Sequence, residues 1–214
     1  VRVQAGDIDI RSSQANRIIY HSDYDNIRMR LNEDFAHLIT DARILLISGF
    51  NAMQSEALLA DRLQSVLRIA DNLPEDALVF YEEAGFHEPR FCRFIYSTLA
   101  GRIDIVSLNE DEAQNHLGRK LDLLSTSQIK EALAELQNLI RVPIVVVHTK
   151  YWALAYGENA ARFRQALKAG TALATTRFRY GDDFSAENYD EIRRSCPREQ
   201  SAIFAEAMNK LLGN

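Results

Sequence analysis

Residues 103–112, IDIVSLNEDE, read as a short buried strand that turns directly into a helix. Ile103, Ile105 and Val106 supply the apolar run, and Asn109 is followed by Glu110, Asp111 and Glu112. Short apolar runs followed by helical periodicity recur along the chain, the pattern of a parallel sheet with helices on its faces. In such sheets ligands bind outside the carboxyl ends of the strands. The turn at 107–112 is therefore where chemistry is expected. Two readings of it stand side by side. Asn is a favoured N-cap, Glu three residues on completes a capping box, and acids in the first turn complement the helix dipole. The same amide and carboxylate are donor types that hold magnesium, directly or through water, beside a phosphate chain. The spacing does not choose between them.

Upstream, residues 42–47, ARILLI, read as a buried strand followed at once by Ser48-Gly49-Phe50-Asn51. A Gly in that place admits a close ligand or backbone, or simply makes a tight turn. Residues 55–70 have a helical stripe of Leu59, Leu63, Val66, Leu67 and Ala70. Residues 77–81 form the next strand, running into Glu82-Glu83-Ala84-Gly85. Residues 88–100 are helical, with Phe91, Ile95 and Leu99 on one face. A short helix is expected over 31–38, with Asn32 as its cap. Further back, Val1, Val3, Ile8 and Ile10 alternate with polar residues around Gly6-Asp7, predicting a hairpin over 1–5 and 8–11. RIIYH at 17–21 adds a strand to what reads as a small antiparallel sheet.

Downstream, Ser125-Thr126-Ser127-Gln128 predicts a second capping box. The helix behind it carries Ile129, Leu133, Leu136 and Ile140. Pro143 ends that helix and precedes IVVVHT at 144–149, the most strand-like run in the chain. His148-Thr149 falls where this strand ends, and YWALAY at 151–156 returns antiparallel. Residues 159–178 read as one long helix whose small residues, Ala166, Ala169, Gly170, Ala172 and Ala174, fit tight packing or a flat ligand. Residues 187–194 and 198–212 are further helices.

The totals narrow the classes. A chain of 214 residues can bury a sizeable core, and 47% hydrophobic with 26% charged residues is the balance of a soluble globular domain. A net charge of -5 gives no basis for a nucleic-acid partner. No apolar run is long enough to span a bilayer, and the N-terminus has no signal-peptide pattern. Cys92 and Cys196 form neither a metal-ligand pattern nor a disulfide framework, and the five histidines show no zinc-type clustering. Two reduced thiols in a cytoplasmic protein are the expectation.

Six stretches taken together resemble one family. They are NRIIYHSDYDNIRMRLNEDF at 16–35, LLISGFNAM at 45–53, VFYEEAGF at 79–86, VSLNEDE at 106–112, VVVHTKYWALAYG at 145–157 and ALKAGTALATT at 166–176. In this order and at these spacings they resemble the ADP-dependent sugar kinases, the glucokinases and phosphofructokinases of the ribokinase-like superfamily. The resemblance covers about residues 15 to 180. It implies an α/β fold, a ribokinase-like three-layer α/β/α arrangement with a mainly parallel sheet. Residues 1–22 would be a piece of a small β lid and 23–214 the α/β domain. It implies magnesium-dependent phosphoryl transfer from ADP to a hydroxyl of glucose, fructose 6-phosphate or a similar sugar.

The resemblance also assigns residues. Asn109 and Glu112 match an N-x-x-E stretch that organises magnesium and its waters. Glu82 matches the Glu of an H-x-E motif whose His position is Phe80 here. His148 and Thr149 match an H-T pair on the nucleotide side, and Ser48 and Gly49 the loop bordering the cleft between sugar and phosphate. The family's G-x-G-D stretch, which carries the anion hole and the base, has no counterpart. Gly-Asp occurs only as Gly6-Asp7 and Gly181-Asp182. The expectation is the central part of a larger kinase, inactive alone. An ATP-dependent ribokinase-like kinase and a binding module without chemistry are the other readings.

Overall fold

The computed structural model describes residues 2–5, 8–11, 23–32, 34–86 and 88–213, and the chain forms two sheets. In the first, β1 (Arg2–Ala5) pairs antiparallel with β2 (Ile8–Arg11), in the register Arg2↔Arg11 to Ala5↔Ile8. This is the predicted hairpin. The strand expected at 17–21 lies outside the described residues.

After α1 (Phe35–Leu38), the second sheet is built from β3 (Ile44–Ile47), β4 (Leu78–Glu82), β5 (Ile105–Asn109), β6 (Ile144–His148) and β7 (Ala153–Gly157). Their order in space is their order in the chain. β3 to β6 are parallel and β7 returns antiparallel on β6. The connections run through α2 (Glu56–Ala70), α3 (Pro89–Thr98), α4 (Glu110–Leu117) and α5 (Thr126–Ile140). The chain closes with α6 (Arg164–Tyr180), α7 (Ala186–Arg194) and α8 (Glu199–Leu212). The fold is α/β with a mainly parallel sheet, as expected.

The two faces of the sheet are unequally covered. On one, α2, α3, α4, α5 and α8 pack over Leu45, Val79, Tyr81, Val106, Leu108, Val145 and Val147. Leu59, Leu63, Ile95 and Val145 are fully buried there, each contributing about 1.5–3 kcal/mol by leaving water. On the other face, Ile105, Ile144 and Val146 meet only partly buried neighbours, among them Leu78, Phe80, Phe163 and Leu167.

Four local expectations are corrected. The strand at 42–47 is buried on one side only: Leu45 and Ile47 are inside, whereas Ile44 and Leu46 are 60% and 63% exposed. A continuous apolar run hides that alternation. The short helix begins at Phe35, not near Leu31, because the Asn32 side chain accepts the Asp34 amide and makes a turn instead. Ser125 does not cap α5 through its side chain; the Gln128 carbonyl oxygen reaches back to the Asp122 amide in the preceding loop. The long helix starts at Arg164, after a 3-10 turn at Ala160–Phe163 entered through a left-handed Asn159. Of its small residues only Ala172 is buried, together with Thr176, while Ala166, Ala169, Gly170 and Ala174 are exposed.

Candidate nucleotide and metal site

The parallel strands deliver their carboxyl ends to one edge of the sheet. β4 ends on Glu82, β5 on Asn109 and β6 on His148. Asn109 and His148 are direct partners in the ladder, and Glu82 is opposite Ser107. The register thus sets Asn109 beside His148, while Glu82, opposite a position two residues before the end of β5, meets His148 through its side chain. Glu112 joins them from the first turn of α4.

The capping box is complete. Asn109 Oδ1 accepts the amides of Asp111 (2.8 Å) and Glu112 (3.0 Å), and Glu112 Oε2 accepts the Asn109 amide (2.8 Å). Glu112 is only 6% exposed. Burial pushes its carboxyl above the ordinary range; the Asn109 amide opposes this, while the charges of Glu83 and Glu82 raise it further. Its second oxygen, Oε1, takes no hydrogen bond from a described residue. Glu112 thus lies in the field of two other carboxylates and keeps one oxygen without a hydrogen bond from a described residue. An all-oxygen donor set of this kind suits a hard cation such as magnesium. Glu82 and Glu112 offer oxygens of the type such an ion takes. Asn109 Oδ1 is already committed to two amides, which leaves it a contact through water.

His148 Nε2 lies 3.5 Å from Glu82 Oε1. This carboxylate holds the imidazole above its ordinary value of 6.5, against the opposing effect of burial. Because the folded value exceeds the unfolded one, the pair stabilises fully below the unfolded pKa, and that contribution is lost as pH rises through the folded one. Both side chains are over 40% exposed, so the effect on stability is small. In magnesium-free buffer, the His148 ring protons should titrate with a midpoint above 6.5, and Glu82→Gln should lower it. An unchanged midpoint in the variant would mean that Glu82 is not the partner.

The other predicted residues sit apart or are otherwise occupied. Thr149 builds the β6–β7 turn: its Oγ1 accepts the amides of Tyr151 (3.0 Å) and Trp152 (3.1 Å), and its own amide donates to the Trp152 carbonyl (2.8 Å). Ser48 and Gly49 follow β3, at the same sheet edge but two strands from Asn109. Gly49 has φ 88° and opens a 3-10 turn, a conformation that favours glycine. Asp182 lies past the C-terminus of α6 and pairs with Arg177. Glu83 carries no sequence signal beyond its place next to Glu82. It is 7% exposed and bonded to His116 and Tyr96.

A family model described as the ADP-specific phosphofructokinase/glucokinase conserved region matches residues 4–207. The chain belongs to this family. A comparison with curated protein sequences finds no significant match. Among solved structures, the last common ancestor of ADP-dependent phosphofructokinases from Methanosarcinales superposes with TM-score 0.68 at 16% identity, covering 87% of this chain and 44% of that one. A phosphofructokinase from Pyrococcus horikoshii OT3 with AMP gives 0.67 at 14% identity, covering 83% and 44%. An ADP-dependent kinase in complex with fructose 6-phosphate and ADPβS gives 0.66 at 14% identity, covering 85% and 44%. These likenesses carry the ribokinase-like fold, which extends to a phosphofructokinase-2 mutant from Escherichia coli at TM-score 0.53, 15% identity, 81% and 60% coverage. The chain spans less than half the length of the ADP-dependent kinases it resembles. No helix among the described residues is long and apolar enough to cross a membrane.

Proposed function

We propose that this chain is the nucleotide- and metal-binding portion of an ADP-dependent sugar kinase. The reaction is transfer of the ADP β-phosphoryl group to a hydroxyl of glucose, fructose 6-phosphate or a similar sugar. The observation that carries this reading is the meeting of Glu82, Asn109, Glu112 and His148 at the carboxyl edge of a parallel sheet, within the fold of this family. The solved relative holding fructose 6-phosphate and ADPβS supports the same two ligand classes.

Glu82 and the free oxygen of Glu112 would hold magnesium, with Asn109 reaching it through water. Bound there, the ion supplies charge neutralisation to the diphosphate. The capping box fixes the Glu112 carboxylate before ligand arrives, so little ordering remains to be done on binding. His148, drawn toward its protonated form by Glu82, presents a donor to nucleotide phosphate. Ser48 and Gly49 border the cleft on the sugar side, and the β1–β2 hairpin belongs to the lid over it.

A base for the sugar hydroxyl is not among these groups, because Asp182 is bound to Arg177 at a helix C-terminus. The chain alone is therefore expected to bind nucleotide without turning over. The second reading is a binding module in which the turn only caps α4, and the full occupation of Asn109 Oδ1 favours it. One experiment separates them: calorimetric titration with ADP, and separately ATP, with and without magnesium, on the native chain and Glu112→Gln. The substitution keeps an acceptor for the Asn109 amide and relieves carboxylate repulsion, so stability should change by less than about 1 kcal/mol. A kinase site predicts magnesium-dependent ADP binding that Glu112→Gln weakens about tenfold or more, roughly 1.4 kcal/mol. Equal affinities of the two proteins with and without magnesium would leave only the cap.

A further inference from the structure

Beneath the strand ends, on the covered side of the sheet, a second cluster has a different chemistry. Glu83 follows β4, Cys92 comes from α3 and His116 from the last turn of α4. His116 Nε2 lies 2.9 Å from Glu83 Oε2 and 3.1 Å from Oε1. Cys92 Sγ lies 3.6 Å from Glu83 Oε2 and 3.9 Å from His116 Nε2. One donor atom from each residue falls within 4.8 Å of the others. Glu83 and Cys92 are 7% and 9% exposed.

We propose that Glu83, Cys92 and His116 form a binding site for a borderline-soft divalent cation of the zinc class. Three elements aim three different donor types at one point, a sulfur, an imidazole nitrogen and a carboxylate oxygen. Zinc takes that mixture, at about 2.3 Å from sulfur and about 2.0–2.2 Å from nitrogen and oxygen. In a tetrahedron those bond lengths put neighbouring donors about 3.3–3.6 Å apart. The observed separations bracket this range, so binding needs shifts of a few tenths of an ångström. Tyr96 donates its hydroxyl to Glu83 Oε2 and orients the carboxylate, the outer-sphere contact such sites use. Among the described residues no Lys or Arg pairs with Glu83, so no fixed cation occupies the place a metal would take. On binding, the Cys92 S–H bond breaks, a sulfur–metal bond forms and one proton passes to solvent.

The site differs from the one proposed for magnesium in its ligands and its preference, and does not rest on the kinase reading. It braces α3 and α4 against the end of β4, one residue beyond Glu82. The test uses the full chain carrying Cys196→Ser, so that Cys92 is the sole thiol, stripped by chelation and titrated with cobalt. One equivalent should give the visible bands of tetrahedral cobalt and a near-ultraviolet thiolate-to-cobalt band. Zinc should displace it and excess magnesium should not. Tyr96→Phe should weaken binding about 10–100-fold, and Cys92→Ser, which retains a hydroxyl to bond Glu83, should abolish the thiolate band. A folded chain that shows no thiolate band at excess cobalt overturns the proposal. So does cobalt affinity that is unchanged in folded Cys92→Ser or His116→Gln.

Discussion

Replacing Gly157 by alanine should cost about 3 kcal/mol or more, one of the two largest effects expected of any single change described for this chain. Gly157 ends β7 opposite Ile144, with φ 134°. L-residues rarely adopt that conformation, and holding one there costs of order 1–3 kcal/mol. Space is also missing. A Cβ at this position would sit 2.1 Å from the Pro143 carbonyl oxygen and 2.8 Å from Gln137 Nε2. The oxygen is backbone at the start of β6 and accepts the Gln137 amide at 2.7 Å. It cannot yield without breaking that bond or lifting β7 off β6. Overpacking adds a further ~1–3 kcal/mol. Gly170, within α6, has nothing within 4 Å of its would-be Cβ. Gly170→Ala should therefore stabilise by roughly 0.5–1 kcal/mol. Urea denaturation of the two variants gives opposite signs if this account is right. A Gly157→Ala chain within about 0.5 kcal/mol of native would show that the β6–β7 junction relaxes freely.

That junction also shows what kind of information a sequence carries. The β6 run was legible because four consecutive apolar β-formers after a proline leave little else to form. The Asn109–Glu112 cap was legible because its partners are three residues apart, and helix geometry alone brings them together. Ser125 and Gln128 have the same spacing, yet Gln128 turns back to Asp122. The local pattern competes there with a loop whose path depends on tertiary packing. Alternation in β3 was concealed because every residue from Ile44 to Ile47 is apolar, on the exposed side as well as the buried one. The Glu83–Cys92–His116 cluster has no counterpart in the spacings by which metal motifs are read from sequence. Its members are separated by 9 and 24 residues and lie on a strand end and two helices. Only the docking of α3 and α4 over β4 makes them neighbours. Four of the six stretches that carry the family resemblance are strand ends, where local motif and sheet register coincide in an α/β chain.

Phe204→Ala should lower stability by about 3–5 kcal/mol, the usual cost of truncating a buried phenylalanine. Phe204 is 3% exposed on α8 and stacks on Trp152 with ring centroids 5.2 Å apart and planes 12° from parallel. α8 buries only Phe204 and Met208, so this ring is half of its anchorage. Loss of the ring leaves a void beside Trp152, which α8 can close only by undocking. Trp152 is itself fixed by its indole N–H to the Leu123 carbonyl (2.6 Å) and by the Thr149 turn. The chain contains one tryptophan, so its fluorescence reports this contact without ambiguity. Phe204→Ala should shift the emission to longer wavelength, and Phe204→Leu, which refills most of the volume, should restore much of both signal and stability. The consequence reaches the candidate site. Trp152 backs the turn that follows His148, and a looser turn lets the His148 end of β6 move relative to Glu82. The His148 titration midpoint should then fall toward 6.5 in Phe204→Ala, although α8 itself contributes no residue to the site. Unchanged emission would mean that α8 does not shield Trp152. Changed emission with an unmoved His148 would confine the effect to the core and leave the strand end independently held.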